Sequence, residues 1–235
     1  MKDISKHVLG SLKILENFTN DLLKNDPKKA SNLSYWIKNY TYMLKRENAF
    51  HPKYLPTYKK GSIIFVDLGF NVGSEHGGLH YVIVLDKNDS KNSPTLTVLP
   101  MSSMKNKTIN DLHPKYNYYL GDEFYNTLEV KMLGLFESFQ KELKILQVDM
   151  KNSNPAINRL EQARIIKNNQ KSLQDCMKKA RSLKSGGYAV INQITTISKM
   201  RIMEPTKPDE PLYNVTLSGD TMSGIDAQIM NCYLN

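Results

Sequence analysis

The chain has 235 residues, 40% of them hydrophobic and 23% charged, which is enough for one large or two small packed domains and excludes a disordered segment. Lysine and arginine number 32 against 23 aspartates and glutamates, and the resulting charge of +9 favours polyanionic or acidic partners. No stretch reaches the roughly 18 apolar residues of a membrane span, the start MKDISKHVLG does not read as a secretory segment, and Cys176 and Cys232 are too few for a disulfide scaffold or a four-cysteine zinc site, so the expected compartment is the cytoplasm.

Residues 1–60 read as two helices. Ile4, Val8, Leu12, Leu15, Phe18 and Leu22 recur at helical spacing. Asp26-Pro27 is a cap followed by a first-turn proline, and Leu33, Trp36, Ile37, Tyr40, Met43 and Leu44 form the second apolar side. Pro52 and Pro56 close this region, which carries 12 basic against 5 acidic residues. Its polar faces are therefore basic, either as solvated helix surface or as an arm for nucleic acid or a partner.

The pattern changes at Gly61. Ser62–Leu68, Tyr81–Leu85 and Thr95–Leu99 are rich in β-branched and apolar residues and are separated by a glycine loop and a polar turn, which predicts an antiparallel sheet or small barrel. From 123 to 184 helical spacing returns: Leu128, Met132, Leu135, Phe139, Leu143 and Leu146, then a restart at Asn154-Pro155 and Leu160, Ala163, Ile166, Leu173, Met177 and Ala180. The two stripes predict an antiparallel hairpin whose second arm holds 8 basic and 2 acidic residues. Helix ends at Gly186-Gly187, Tyr188–Ile191 reads as strand, and Leu217–Leu234 reads as a last helix with Ile225, Ile229 and Cys232 facing inward. The implied organisation is a helical extension (1–58), a β-domain (59–122 and 186–235) and an inserted basic hairpin (123–185).

The loop Gly73-Ser-Glu-His-Gly-Gly-Leu-His80 gathers a serine, a glutamate and two histidines around glycines that permit close backbone approach. It can cradle a phosphate and supply acid-base groups, or it can be a structural turn. No Gly-Lys-Ser/Thr follows, so it is not a P-loop.

These residues resemble a known family. Gly61-Ser-Ile-Ile-Phe-Val-Asp-Leu, Gly73-Ser-Glu-His-Gly-Gly and Val82-Ile-Val-Leu resemble the opening of the MazF/PemK toxins. Val98-Leu-Pro-Met-Ser-Ser103 is similar to the family's third strand with its Thr/Ser-bearing end, and Asn192-Gln-Ile-Thr-Thr-Ile-Ser-Lys199 to its E-Q-I-R-T-I-D-K block, in the family's order. The resemblance spans about 61–120 and 188–235. It implies an α+β fold with a small SH3-like β-barrel of MazF/PemK/CcdB type and a C-terminal helix, often homodimeric. It further implies metal- and cofactor-free cleavage of single-stranded RNA to 2′,3′-cyclic phosphate and 5′-hydroxyl ends, and a cognate antitoxin as partner. Ser74 and Glu75 match loop residues that contact RNA or assist catalysis, Ser102 matches the catalytic Thr/Ser, and Gln193 matches a groove glutamine. His76, Gly77, Gly78 and Ser103 join the expected RNA contacts. The chain departs from the family at His80-Tyr81, where most members carry Arg-Pro.

Strand cleavage by the 2′-hydroxyl needs a base, an acid and donors for the phosphorane. A histidine can move protons near neutral pH, whereas an arginine is the better phosphate clamp. The expectation is that His80 is general acid or base, oriented by Glu75, with Ser102 and loop N–H groups holding the phosphate and His76 as a second candidate. Two other readings stand beside it: a catalytically silent binding module, and a gyrase-directed toxin, since the same barrel hosts gyrase poisons.

Overall fold

The computed structural model of the chain describes residues 2–151, 156–182 and 186–234. The Asn154-Pro155 restart lies outside the described residues, as do the side chains of Leu146 and Leu160. The chain divides into two compact units, Met1–Phe50 with Leu68–Leu79, and His51–Asp67 with His80–Asn235.

The first unit opens with α1 (Lys2–Asn25) and α2 (Pro27–Arg46). The expected cap is present: the Asp26 carboxylate accepts the Lys29 N–H at 3.0 Å, and Pro27 occupies the first turn, where no N–H is needed. Ala30 and Leu33 are buried, and Trp36 stacks on Tyr40 with centroids 5.2 Å apart. Along the apolar side of α1, Leu15, Thr19 and Leu22 are half-buried, while Ile4, Val8 and Leu12 toward its start are exposed.

The second unit is built on an antiparallel sheet of β1 (Ile63–Asp67), β2 (Leu79–Val84), β3 (Thr95–Ser103), β4 (Asn117–Gly121), β5 (Gly187–Val190), β6 (Thr195–Ser198) and β7 (Ile202–Glu204). Leu79 itself belongs to the first unit. The strand order is β4-β5-β3-β2-β1-β7, and β6 pairs the start of β3. β3 is the spine: Thr95–Val98 pair with β6, Met101–Ser103 with β5, and Val98–Pro100 with β2. The hydrogen-bonded path is open, with β4 and β7 at its ends, so the antiparallel sheet is as expected but its ladder does not close on itself.

Alternate residues explain the main core. Ile63, Ile83, Leu99, Met101 and Ala189 lie on one face and pack with Phe124 and Leu128 of α3 (Glu123–Lys151) and with Met222 and Ile225 of α5 (Gly219–Tyr233). Tyr118 packs partly buried against this core, its ring seated where a side chain on Gly224 would collide with it. α4 (Ala156–Ser182) pairs with α3 as the predicted hairpin and buries Cys176 and Ala180, while Met177, expected inside, is 38% exposed because Cys176 takes the inward position. Ile225 of α5 faces the core as expected, with Ile229 and Cys232 partly buried against it. Glu123 ties the helices together, accepting the Ser218 N–H at 2.5 Å and the Thr221 hydroxyl at the start of α5.

Lys199, the end of the third family-like block, is fully buried. Its ammonium meets Asp89 Oδ1 at 2.6 Å and the Ser90 carbonyl at 3.0 Å, and the other Asp89 oxygen accepts the Tyr58 N–H. A buried charge is tolerated only when paired and hydrogen-bonded in this way. This residue of the block therefore anchors the sheet. Among the described residues, no helix is long and apolar enough to cross a membrane.

Candidate active site

The glycine loop, residues 68–79, belongs to the first unit. Its ends are zipped together: Leu68 N–H donates to the Gly78 carbonyl at 2.8 Å and Gly78 N–H to the Gly69 carbonyl at 2.5 Å. That closure dictates two of its glycines. A Cβ on Gly77 would sit 2.8 Å from the Gly69 oxygen, and Gly78 adopts φ +78°, a region L side chains avoid. Asn71 Nδ2 donates to the His76 carbonyl at 2.6 Å, and Glu75 turns its carboxylate onto the Val72 N–H at 3.4 Å. Ser74 and Glu75 are exposed and His76 is half-buried.

The second unit contributes the ends of β2 and β3. Val82 pairs with Pro100, so His80 near the start of β2 and Ser102 near the end of β3 lie toward the same ends of neighbouring antiparallel strands. His80 Nδ1 lies 3.3 Å from the Met101 carbonyl. In the tautomer protonated at Nδ1 the ring donates to this oxygen and presents Nε2 as the basic nitrogen. Ser102 is half-buried and pairs across β5 with Tyr188, while Ser103 is exposed, pairs with Gly187 and accepts the Lys105 N–H at 3.1 Å. Gln193 is half-exposed in the turn Ile191–Gln193, which packs on β3. Thus His80, Ser102 and Ser103 are brought to one strand end. Ser74, Glu75, His76, Gly77 and Gly78 form the first unit's loop.

Three residues at this sheet end were not among the sequence candidates. Arg201 donates from Nη1 to the carbonyl of Asp67, the last residue of β1, at 3.3 Å. It stands two places beyond Lys199, just outside the third block, so its nearness to that block was the available signal. Tyr188 and Lys107 meet as hydroxyl and ammonium at 2.7 Å; only strand pairing brings together residues 81 positions apart. Elsewhere in this unit, a cleft of about 650 Å³ is lined by Lys171, Lys178 and Lys207 and by Asp175, Asp209 and Glu210. Its balanced charges do not favour an anion.

Residues 59–126 match the family model described as the PemK-like, MazF-like toxin of type II toxin-antitoxin systems. This stretch of the chain is a PemK/MazF-like toxin domain, and it contains the glycine loop, His80, Ser102 and Ser103. The match ends before the Gln193 block. No curated protein matches the chain.

Proposed function

We propose that the protein is the toxin of a toxin-antitoxin pair and cleaves single-stranded RNA without a metal. The 2′-oxygen attacks phosphorus and the bond to the 5′-oxygen breaks, leaving a 2′,3′-cyclic phosphate and a 5′-hydroxyl. One group takes the 2′ proton and another protonates the leaving oxygen. His80 serves as one of these groups and Ser102 holds the scissile phosphate. The observation that carries this reading is the His80–Ser102 placement on neighbouring strands within a toxin-like domain. Glu75 as a proton-transfer partner, and Ser74, His76, Gly77, Gly78, Ser103 and Gln193 as RNA contacts, rest on the sequence resemblance. So do the curling of the sheet into an SH3-like barrel, the homodimer and the cognate antitoxin, while the cytoplasmic location rests on the low cysteine count and the separate roles of 1–58 and 123–185 on their helical spacing and basic charge.

The test is incubation of the protein and of His80→Ala with mixed-sequence single-stranded RNA in EDTA, with the product ends mapped. Cleavage by the wild type alone, leaving cyclic-phosphate ends, is the expected result. Unchanged cleavage by His80→Ala, with both proteins folded by circular dichroism, overturns the role of the histidine. A second reading is favoured by one residue: histidine stands where the family carries arginine, which fits a binding module that holds RNA without cutting it. Binding without products from the wild type selects that reading.

A further inference from the structure

The turn that follows Ser103 is held in place from three sides. Met104 N–H donates to the Gly186 carbonyl at 3.1 Å, tying the turn to the chain that enters β5. Lys107 N–H donates to the Met104 carbonyl at 2.8 Å, closing a four-residue turn. Asn106 sits at its third position with φ +61°, where asparagine is tolerated and most residues are strained. The sharp reversal sends the Lys107 side chain over β5. There its ammonium donates to the Tyr188 hydroxyl at 2.7 Å and lies 4.9 Å from the centre of that ring.

Tyr188 is a rigid support. It is 6% exposed, packed with Met104 and Val190, and directly opposite Ser102 on the neighbouring strand. The acid closest in sequence is already engaged: Asp111 accepts the Thr108 N–H at 2.7 Å and the Thr108 hydroxyl at 2.9 Å. Those bonds, with Lys107 as a lesser influence, hold its carboxyl below the usual range. Among the described residues, Lys107 is therefore a cation without a carboxylate among its hydrogen-bond partners, fixed by a phenol opposite Ser102 on the neighbouring strand. An ammonium has three donors and the phenol takes one. A free lysine loses rotamer entropy on binding, and a braced one has lost much of it beforehand.

We infer that Lys107, braced by Tyr188, forms a phosphate subsite for a single-stranded RNA at a nucleotide next to the one held at Ser102. This rests on the ribonuclease reading for its ligand, and its test separates the two. The probe is a fluorescent, mixed-sequence 2′-O-methyl RNA, which binds but lacks the attacking hydroxyl. Binding is followed by anisotropy across a salt series, and the same proteins are assayed for cleavage of ordinary RNA.

Lys107→Gln is expected to weaken binding about tenfold and to reduce the slope of log affinity against log salt by about 0.7, the value for one single-strand phosphate contact. Tyr188→Phe keeps the ring and its packing but removes the hydroxyl, and is expected to weaken binding about threefold. Lys91→Gln, an equal change of charge in a distant exposed turn, should leave affinity and slope as in the wild type. Lys107→Gln matching Lys91→Gln overturns the subsite while leaving the ribonuclease reading intact. Weakened binding by Lys107→Gln in a protein that never cleaves RNA supports the subsite and overturns the ribonuclease. A folded wild type that does not bind the probe overturns both.

Discussion

Two helical hairpins interrupt or precede the sheet in sequence, and they are built to different standards. The inserted pair, α3 and α4, is rooted in the sheet unit. Phe124 and Leu128 enter the main core, and Cys176 and Ala180 are buried. Lys131 donates to the carbonyls of Glu210 and Tyr213, and Lys179 pairs with Glu204 at 2.7 Å while lying 5.4 Å from the Phe65 ring centre. Among the described residues, the N-terminal pair buries only Ala30 and Leu33 and leaves Ile4, Val8 and Leu12 exposed on one side of α1. Amphipathic spacing was present in both hairpins. Spacing identifies a face that wants cover, but it does not say whether the same chain supplies that cover.

The largest expected effect tests the rooted hairpin. Leu128→Ala should cost about 2–5 kcal/mol in urea unfolding, because Leu128 is fully buried and a cavity remains. Leu12→Ala on α1 should fall within about 0.5 kcal/mol. Equal losses at the two sites would erase the contrast.

Next comes the polar root. Lys179→Met leaves the half-buried Glu204 carboxylate without its ammonium and should cost about 1.5–3 kcal/mol near neutral pH. The two root lysines also respond oppositely to alkali. For Lys179, burial disfavours the charge, but the hydrogen bond to Glu204 and the charges of Tyr81, Glu204 and Asp175 outweigh it and hold its pKa above the ordinary 10.5. Its stabilisation is complete below that value and disappears as pH rises through the raised one. Burial holds the pKa of Lys131 below 10.5, despite opposing charges from Cys176 and Glu204. The unfolded chain then keeps a proton that the folded one has released, so Lys131 makes stability rise with pH across that window. Urea unfolding of Lys179→Met and Lys131→Met through the alkaline range should show the two slopes removed separately. A common slope in both variants would refute the assignment.

The smallest effect sharpens the other side of the comparison. Asp26→Ala removes the cap of α2 and should cost that helix about 0.5–2 kcal/mol. Hydrogen exchange should show faster opening at the start of α2 with the protection of β3 unchanged. Loss of protection in β3 would mean that the N-terminal pair supports the sheet as strongly as the insertion does.

Much was legible in the sequence because the signals were local. The Asp26-Pro27 cap follows from side-chain reach and proline geometry. The strands around Ile63, Tyr81 and Leu96 follow from β-branched runs, and the last helix from the helical spacing of Ile225, Ile229 and Cys232. The glycine loop was equally readable, since Gly77 and Gly78 answer a close approach and a positive φ that other residues tolerate poorly. His80, Ser102 and the glycine loop could be named as candidates from their types and order. What the sequence could not supply was pairing across distance. That β3 is shared by three partners, that Ser102 faces Tyr188 and that Lys199 is consumed by Asp89 are outcomes of strand register and burial. The exposed Met177 and the tyrosine-braced Lys107 were decided the same way. Local propensity sets which residues form each element. Which side chains then meet depends on how those elements share one limited core, and only the tertiary fold makes that choice.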